Sequence, residues 1–162
     1  MMKIKLPNFL IVGAAKSGTS SLHNYLNQHP QVFMPSYNKD GMKVKEPRFL
    51  IKDLVEHRLH NGVWTFDEYQ LLFNKVTVEK AIGESTVLYL YYFKEAIKNI
   101  KYRLDENTRI IIMLRNPVDR AFSAYTHVAR SVKEQLSFEE ALEIEHERLE
   151  LNPTLSPMVM YK

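Results

Sequence analysis

The stretch FLIVGAAKSGTSSL, residues 9–22, decides how we expect this chain to fold. A short apolar run leads to a glycine, a polar loop follows, and apolar residues then recur at helical spacing. This order predicts a strand, an anion-binding loop and a helix. In nucleotide-triphosphate enzymes the corresponding loop reads G-x-x-x-x-G-K-[ST]. When the two patterns are aligned on Gly13 and Gly18, Thr19 stands where that lysine belongs, and the only lysine of the loop is Lys16.

Such a loop attracts an anion because the helix after it presents unpaired backbone N–H groups and the positive end of its dipole. Lys16 adds a full positive charge, and the neighbouring hydroxyl groups add further donors. The missing lysine after Gly18, and the lack of an apolar strand that ends in aspartate, argue against a magnesium-bound triphosphate. On this stretch alone, a turn with incidental serines is the alternative. The residues predicted to bind the anion are Lys16, Ser17, Gly18, Thr19, Ser20 and Ser21.

The composition is that of one soluble globular domain, and it excludes several kinds of site. The chain has 162 residues and a formal net charge of +3, which suits a small anionic ligand but is too weak to indicate nucleic acid. It has no cysteine, so disulfides, thiolate metal sites and cysteine nucleophiles are excluded. No apolar run approaches the roughly 18 residues that span a bilayer. The N-terminal apolar run leads directly into the glycine loop, so we expect a strand, not a signal peptide, and a cytoplasmic location.

A second apolar run, RIIIML at residues 109–114, predicts a strand that is buried on both faces. Pro117 then opens a helix, because the N–H that proline lacks would be unpaired at a first helical position anyway. Arg115 lies just past the strand and Ser123 lies on the helix, so this junction presents a planar arginine fork and a hydroxyl, which suit a terminal phosphate. A salt bridge to a nearby carboxylate is the alternative for Arg115. Two such junctions on one sheet call for a ligand with two separate phosphate groups.

Local patterns predict the remaining elements. Capping boxes open one helix after Thr65 and another that runs from Ser137 to about Leu151. The segment KAIGES, residues 80–85, predicts a short strand. Because strands alternate with helices, we expect an α/β fold, a P-loop-like parallel β-sheet flanked by helices, with ligands at the carboxyl ends of its strands.

Two motifs of the chain, about 100 residues apart, resemble those of the sulfotransferases that use 3′-phosphoadenosine 5′-phosphosulfate (PAPS). The segment KSGTSSL, residues 16–22, matches the 5′-phosphosulfate loop K-x-G-T-[ST]-x-L of that family. The resemblance continues through HP at 29–30, KEPRFL at 45–50 and GEST at 83–86, and it is closer to the heparan-sulfate-type and bacterial carbohydrate enzymes than to the cytosolic phenol and steroid enzymes. The family's 3′-phosphate motif, R-x-P-x-x-R-x-x-S-x-Y, is matched by Arg115, Pro117, Arg120, Ser123 and Tyr125.

The resemblance implies an enzyme that moves a sulfuryl group from PAPS to a hydroxyl or amine of a carbohydrate or glycolipid acceptor, without a metal. By this resemblance, Lys16 stabilises the charge that develops on the leaving oxygen, and residues 17–21 bind the 5′-phosphate. Arg115 and Ser123 bind the 3′-phosphate on the same grounds. The glutamate of KEPRFL, which is Glu46, takes the acceptor's proton.

Two alternatives stay open for the base. Glu46 lies in a basic loop whose cations stabilise its carboxylate form, so it is alternatively a member of a surface ion pair. His127, one helical turn after Ser123, is the rival base, because histidine titrates near neutral pH.

The segment GEST departs from the heparan-type pattern. In that pattern a lysine follows the glutamate, whereas here Ser85 follows Glu84. This departure leaves Glu84 either to line the acceptor site or to pair with a lysine of the fold. Members of the family run on well beyond this length. We therefore expect residues 1–162 to be a single sulfotransferase domain, and specifically the N-terminal portion of it that carries both PAPS motifs. Two alternative functions stay open: a P-loop kinase-like phosphotransferase, and a non-catalytic nucleotide-binding fragment.

Overall fold

A parallel sheet carries the fold, as the alternation of strands and helices predicts. The computed structural model describes residues 5–36, 41–130 and 134–151. The strands in this part of the chain are β1 (Phe9–Gly13), β2 (Val32–Phe33), β3 (Ala81–Ser85) and β4 (Arg109–Ile112). They lie in the order β2-β3-β1-β4, and every neighbouring pair is parallel. The predicted α/β fold with a parallel sheet is therefore confirmed.

Helices connect and follow these strands. The two capping boxes form as predicted, since Thr65 and Ser137 each accept a hydrogen bond from the backbone N–H three residues later. A 3₁₀ turn at Phe49–Ile51, which we did not predict, leads into the second helix. The helices are α1 (Thr19–Leu26), α2 (Lys52–Val55), α3 (Phe66–Leu71), α4 (Leu88–Tyr91), α5 (Phe93–Arg103), α6 (Pro117–Ala129), α7 (Phe138–Glu143) and α8 (Glu145–Leu151).

The chain divides into two compact units. The first unit comprises Met1–Ala14 and Gly18–Met113, and it contains the sheet and helices α1–α5. The second unit comprises Ala15–Ser17 and Leu114–Lys162, and it contains helices α6–α8. The single domain over residues 1–162 stays a prediction.

The central strand of the first unit is buried on both faces. Successive side chains of a strand point to opposite faces of its sheet. Accordingly, Leu10 and Val12 pack in a core with residues of α3, α4 and α5, whereas Phe9 and Ile11 pack with Met34 in a second cluster. All five residues of β1 are buried, so this strand is held firmly within the first unit up to Gly13.

The prediction that the second apolar run is covered on both faces is wrong for the described residues. In the described sheet, β4 is an edge strand that pairs only with β1. Ile110 and Ile112 are 46% and 50% exposed. An apolar run indicates a strand, but the run alone does not tell whether other elements cover its faces.

The second unit begins with a well-capped helix. The side chain of Asn116 accepts hydrogen bonds from two N–H groups in the first turn of α6, and Pro117 occupies the first helical position as predicted. Ala121 and Ala124 pack against Ala141 of α7. The prediction of one helix from Ser137 to about Leu151 is wrong, because two helices form. Ile144, which ends α7, has φ −86° and ψ 2°, outside the regular helical region.

Candidate active site

The predicted anion-binding loop joins the two units, and its residues are divided between them. Gly18, Thr19, Ser20 and Ser21 belong to the first unit, which also contains Glu46. The remaining predicted residues belong to the second unit, and they are Lys16, Ser17, Arg115 and Ser123.

In the first unit, Gly18 ends the loop in a conformation suited to glycine. Its φ is 91°, in the left-handed region, and it is the residue directly before α1. Gly18 offers no capping side chain, and the first turn of α1 contains no acidic residue. The N–H groups at this helix end thus have neither a capping side chain from Gly18 nor an acidic residue in their own turn, and such a helix end suits an anion.

The hydroxyls of α1 differ in exposure. Thr19 is buried, whereas Ser20 and Ser21 are exposed. Ser20 accepts a hydrogen bond of 2.8 Å from the ammonium group of Lys45. This contact ties the loop that contains Glu46 to the first turn of α1, so the first unit holds these predicted site residues near one another.

Glu46 is held between two cations. Its Oε1 lies 3.7 Å from Lys45 Nζ, and its Oε2 lies 3.6 Å from a guanidinium nitrogen of Arg48. The side chain is 19% exposed, so its carboxylate still reaches solvent. The ion pairs that we gave as the alternative reading of Glu46 are present, and they hold the carboxylate beside the residue that contacts Ser20.

In the second unit, Lys16 lies in a cluster of cations. Lys16 has a left-handed φ of 66°, and its backbone carbonyl accepts a hydrogen bond of 3.5 Å from Arg115. Burial lowers the pKa of Lys16, and the positive charges of Arg130 and Arg115 lower it further. Among the described residues, none of these three cations forms an ion pair with a carboxylate. The salt bridge given as the alternative for Arg115 is therefore absent from this part of the chain.

Ser17 supplies a buried hydroxyl beside Lys16. Its Oγ is inaccessible to solvent and has no hydrogen-bond partner within the described ranges. Because an unpaired buried hydroxyl costs free energy, this atom is suited to a ligand oxygen.

Helix α6 carries two further candidate site residues of the second unit, Ser123 and His127, and Arg130 follows at its end. Ser123, His127 and Arg130 are spaced four and three residues apart, so they share one side of the helix or its end. Burial and the charges of Lys16 and Arg130 lower the pKa of His127. Arg130 was not predicted as a site residue, although its helical spacing from Ser123 and His127 indicated it.

Glu84 takes neither of the two roles expected for it. Its side chain is fully buried at the end of β3, so it does not line an open acceptor site. Its oxygens accept hydrogen bonds from the hydroxyls of Tyr69 and Thr86, and no lysine of the described chain forms an ion pair with it. Burial raises the pKa of this carboxyl.

Neither a metal site nor a membrane-spanning helix is found in the described part of the chain. No group of three or more histidine, cysteine or acidic side chains there is placed to hold a metal ion. No helix in the described ranges is long and apolar enough to cross a bilayer.

Comparison with known proteins decides the family. Residues 6–152 match the sulfotransferase domain family. The chain belongs to that family. A solved sulfotransferase from Alicyclobacillus acidocaldarius has a similar structure, with a TM-score of 0.84 and 39% sequence identity, over 98% of this chain and 64% of that one.

Several curated relatives are sulfotransferases. The membrane-associated sulfotransferase kil1 of Dictyostelium discoideum is 31% identical over 120 residues, which are 74% of this chain and 22% of kil1. Human carbohydrate sulfotransferase 15 is 26% identical over 166 residues, 83% of this chain and 29% of that protein. The human bifunctional heparan sulfate N-deacetylase/N-sulfotransferase 2 is 30% identical over 128 residues, 76% of this chain and 13% of that protein. The chain thus spans less than a third of each of these relatives.

The sulfotransferase family uses PAPS as its sulfate donor, and the residues of this chain fit the donor's anionic groups. The second unit offers three cations without carboxylate partners in the described ranges, together with the unpaired buried hydroxyl of Ser17. The first unit separately offers the N-terminus of α1. Each of these two sets, taken by itself, is suited to a phosphate or sulfate oxygen.

Proposed function

We propose that this chain carries the donor-binding residues of a sulfotransferase activity that moves a sulfuryl group from PAPS to a hydroxyl or amine of a carbohydrate acceptor. The family supports the donor, and the names of two relatives, a carbohydrate sulfotransferase and a heparan sulfate N-sulfotransferase, support the acceptor class. The observation that carries the proposal is the cation cluster of Lys16, Arg115 and Arg130, because its mutual repulsion is relieved when an anion binds.

Lys16 stabilises the leaving group in this proposal. During transfer, the bond between sulfur and the bridging oxygen breaks, and its electron pair stays on the 5′-phosphate of the nucleotide product. A preorganised ammonium group beside that oxygen lowers the energy of the transition state more than that of the ground state. The left-handed backbone at Lys16 and the contact from Arg115 to its carbonyl hold the residue in place.

Arg115 and Ser123 bind the 3′-phosphate. An arginine fork and a hydroxyl suit a terminal phosphate, and Arg115 has no competing carboxylate among the described residues. This assignment predicts a preference for 3′,5′-ADP over 5′-AMP.

Glu46 is the proposed general base. As the bond from the acceptor oxygen or nitrogen to sulfur forms, the acceptor's proton moves to the Glu46 carboxylate. The two ion pairs and the contact from Lys45 to Ser20 support this role, because they fix the carboxylate beside the first turn of α1.

His127 stays the second candidate base. Its lowered pKa keeps the imidazole neutral near pH 7, and a neutral imidazole can accept a proton. The cytoplasmic location also stays a proposal, and it rests on the sequence alone.

The proposal is tested by calorimetric titration of the chain with 3′,5′-ADP and, separately, with ATP and magnesium. We expect 3′,5′-ADP to bind at least tenfold more tightly. Tighter binding of magnesium-ATP would instead support the kinase-like phosphotransferase. Binding of 3′,5′-ADP without sulfuryl transfer to any carbohydrate acceptor would support the non-catalytic nucleotide-binding fragment.

A further inference from the structure

A buried carboxylate lies at the centre of a hydroxyl cluster in the first unit. Glu84 is 0% exposed. Tyr69 Oη donates to Glu84 Oε2 over 2.5 Å, and Thr86 Oγ1 donates to Glu84 Oε1 over 2.8 Å. The hydroxyl of Tyr89 also interacts with this carboxylate, which stabilises the charged form of Glu84. Burial raises the pKa of Glu84, and the hydroxyl contacts oppose that shift, because they stabilise the charged form.

Two of these hydroxyls also hold backbone N–H groups of the segment that follows Glu46. Thr86 Oγ1 accepts a hydrogen bond of 3.3 Å from the backbone nitrogen of Arg48. Tyr89 Oη accepts one of 3.3 Å from the backbone nitrogen of Leu50. A hydroxyl that donates to Glu84 turns its lone pairs toward these N–H groups, so the carboxylate orients both acceptors.

The held segment has an uncommon backbone conformation. Arg48 has φ 59° and ψ 9°, in the left-handed region that a residue with a side chain rarely adopts. Such a conformation persists only where the surrounding contacts determine it. The N–H of Arg48 is bonded to Thr86, and its side chain bonds to Asn61 Oδ1 over 3.0 Å.

The conformation of Arg48 decides where its guanidinium group meets Glu46. One guanidinium nitrogen of Arg48 lies 3.6 Å from Glu46 Oε2, whereas Lys45 pairs with the other carboxylate oxygen, Oε1. Glu84 and Glu46 are also close enough that the charge of Glu46 contributes to the raised pKa of Glu84.

We propose that Glu84 is a positioning residue, which fixes the backbone from Arg48 to Leu50 through the hydroxyls of Thr86 and Tyr89 and thereby orients the Glu46 carboxylate. The proposal rests on the proposed role of Glu46 as the base. It explains why an acidic side chain is fully buried in the short strand β3.

The cluster provides its own matched controls. Thr86→Val and Tyr89→Phe each remove a hydroxyl that contacts both Glu84 and the backbone of the held segment. Tyr69→Phe removes a hydroxyl that contacts Glu84 and no backbone N–H of that segment. Thr86→Ser keeps the hydroxyl. A merely structural cluster would respond alike to Tyr69→Phe and Tyr89→Phe, whereas the proposal separates them.

The experiment measures amide hydrogen exchange at Arg48 and Leu50, the NMR shift of the Glu46 carboxyl carbon, and turnover with PAPS and a carbohydrate acceptor. We expect at least tenfold faster exchange at Arg48 in Thr86→Val and at Leu50 in Tyr89→Phe, with a changed Glu46 resonance in both. Turnover falls about tenfold in both variants, while the dissociation constant for 3′,5′-ADP stays within twofold. Thr86→Ser and Tyr69→Phe stay within threefold of the wild type in turnover.

The proposal is overturned if exchange and the Glu46 resonance are unchanged in Thr86→Val and Tyr89→Phe, or if Tyr69→Phe changes them equally. Faster exchange with unchanged turnover would also overturn it, since the held backbone would then not matter for the base. A wild-type chain without turnover contradicts the proposed function instead. In that case the exchange rates and the Glu46 resonance still decide whether Glu84 holds the segment.

Discussion

The two sets of candidate site residues differ in how their charges are satisfied. In the first unit, Glu46 has two cationic neighbours, and one of them also bonds to Ser20. In the second unit, Lys16 and Arg115 form no ion pair with a carboxylate of the described residues, and the pKa of Lys16 is lowered by burial and by the charges of Arg130 and Arg115. The first set is therefore arranged by internal bonds, whereas we propose that an anion completes the second. If the proposed roles are correct, the difference teaches that cations without carboxylate partners mark the donor site, whereas a carboxylate held by ion pairs marks the base.

The largest effect that this comparison predicts is at Glu46. Glu46→Gln removes the proposed base and should lower turnover by about 10²–10⁴-fold. The affinity for 3′,5′-ADP should stay within threefold, because a held base does not bind the donor. The measurement combines steady-state kinetics with calorimetry, and Asp53→Asn, another carboxylate in an ion pair, is the control. A loss confined to 3′,5′-ADP affinity would count against Glu46 as a base and would favour His127.

Lys16→Ala should lower turnover by about 10²–10³-fold, the range seen when one transition-state donor is removed. It should also raise the pKa of His127, since a neighbouring cation that lowers this pKa is lost. Kinetics and NMR titration of the His127 ring give the two results. Lys98→Ala, which removes an exposed lysine paired with Glu95, is the control. Unchanged turnover in Lys16→Ala would exclude the leaving-group role.

The buried imidazole of His23 should make the stability of the first unit depend on pH. It is 2% exposed, its Nδ1 has no partner among the described residues, and burial lowers its pKa from 6.5 to about 4. The unfolded chain therefore takes up this proton first, so the free energy of unfolding falls as the pH drops from 6.5 to about 4. The loss is roughly 2 to 3 kcal/mol by linkage.

Urea unfolding at pH 7 and near pH 4 measures this loss, and His23→Gln should lack it. His57→Gln is the control, because His57 is an exposed histidine of the same unit. An equal pH dependence in the wild type and in His23→Gln would contradict the account of the buried ring.

The smallest predicted effect is the loss of stability when a helix cap is removed, tested once in each unit. Thr65→Ala in the first unit and Ser137→Ala in the second should each cost about 1 kcal/mol of stability. Amide exchange should rise in α3 for the first variant and in α7 for the second. Thr65→Ser keeps the capping hydroxyl and is the control. Exchange that rises equally in both helices for either variant would mean that the units do not open separately.

The sequence predicted the parts of the molecule that depend on local patterns. The strand, loop and helix around Gly18, both capping boxes and the proline at the start of α6 depend on neighbouring residues, and all of them form. The exposure of Ile110 and Ile112 was not predictable, because it depends on what lies beside β4 in space. A local sequence pattern predicts a strand or a helix, but it does not tell which other elements pack against it.

The candidate site was predictable to the same extent. The motifs placed Lys16, Glu46 and Arg115 in the list of site residues, but they carried no sign of the hydroxyls around Glu84. Those hydroxyls come from α3, from α4 and from Thr86, the residue after β3, and only the folded chain brings them together. Arg130 was missed for a simpler reason, because it lies just beyond the motif and only its helical spacing indicated it.

The central claim is that the unpaired cations of the second unit bind the donor. Calorimetric titration of the wild type and of Arg115→Ala with 3′,5′-ADP and with 5′-AMP tests it most directly, and Arg109→Ala, an exposed arginine of β4, is the control. We predict that the wild type and the control prefer 3′,5′-ADP, and that Arg115→Ala loses this preference through a roughly 10- to 100-fold weaker affinity, as expected for a charged hydrogen bond. A preference that persists in Arg115→Ala would contradict the assignment of the 3′-phosphate to this cluster.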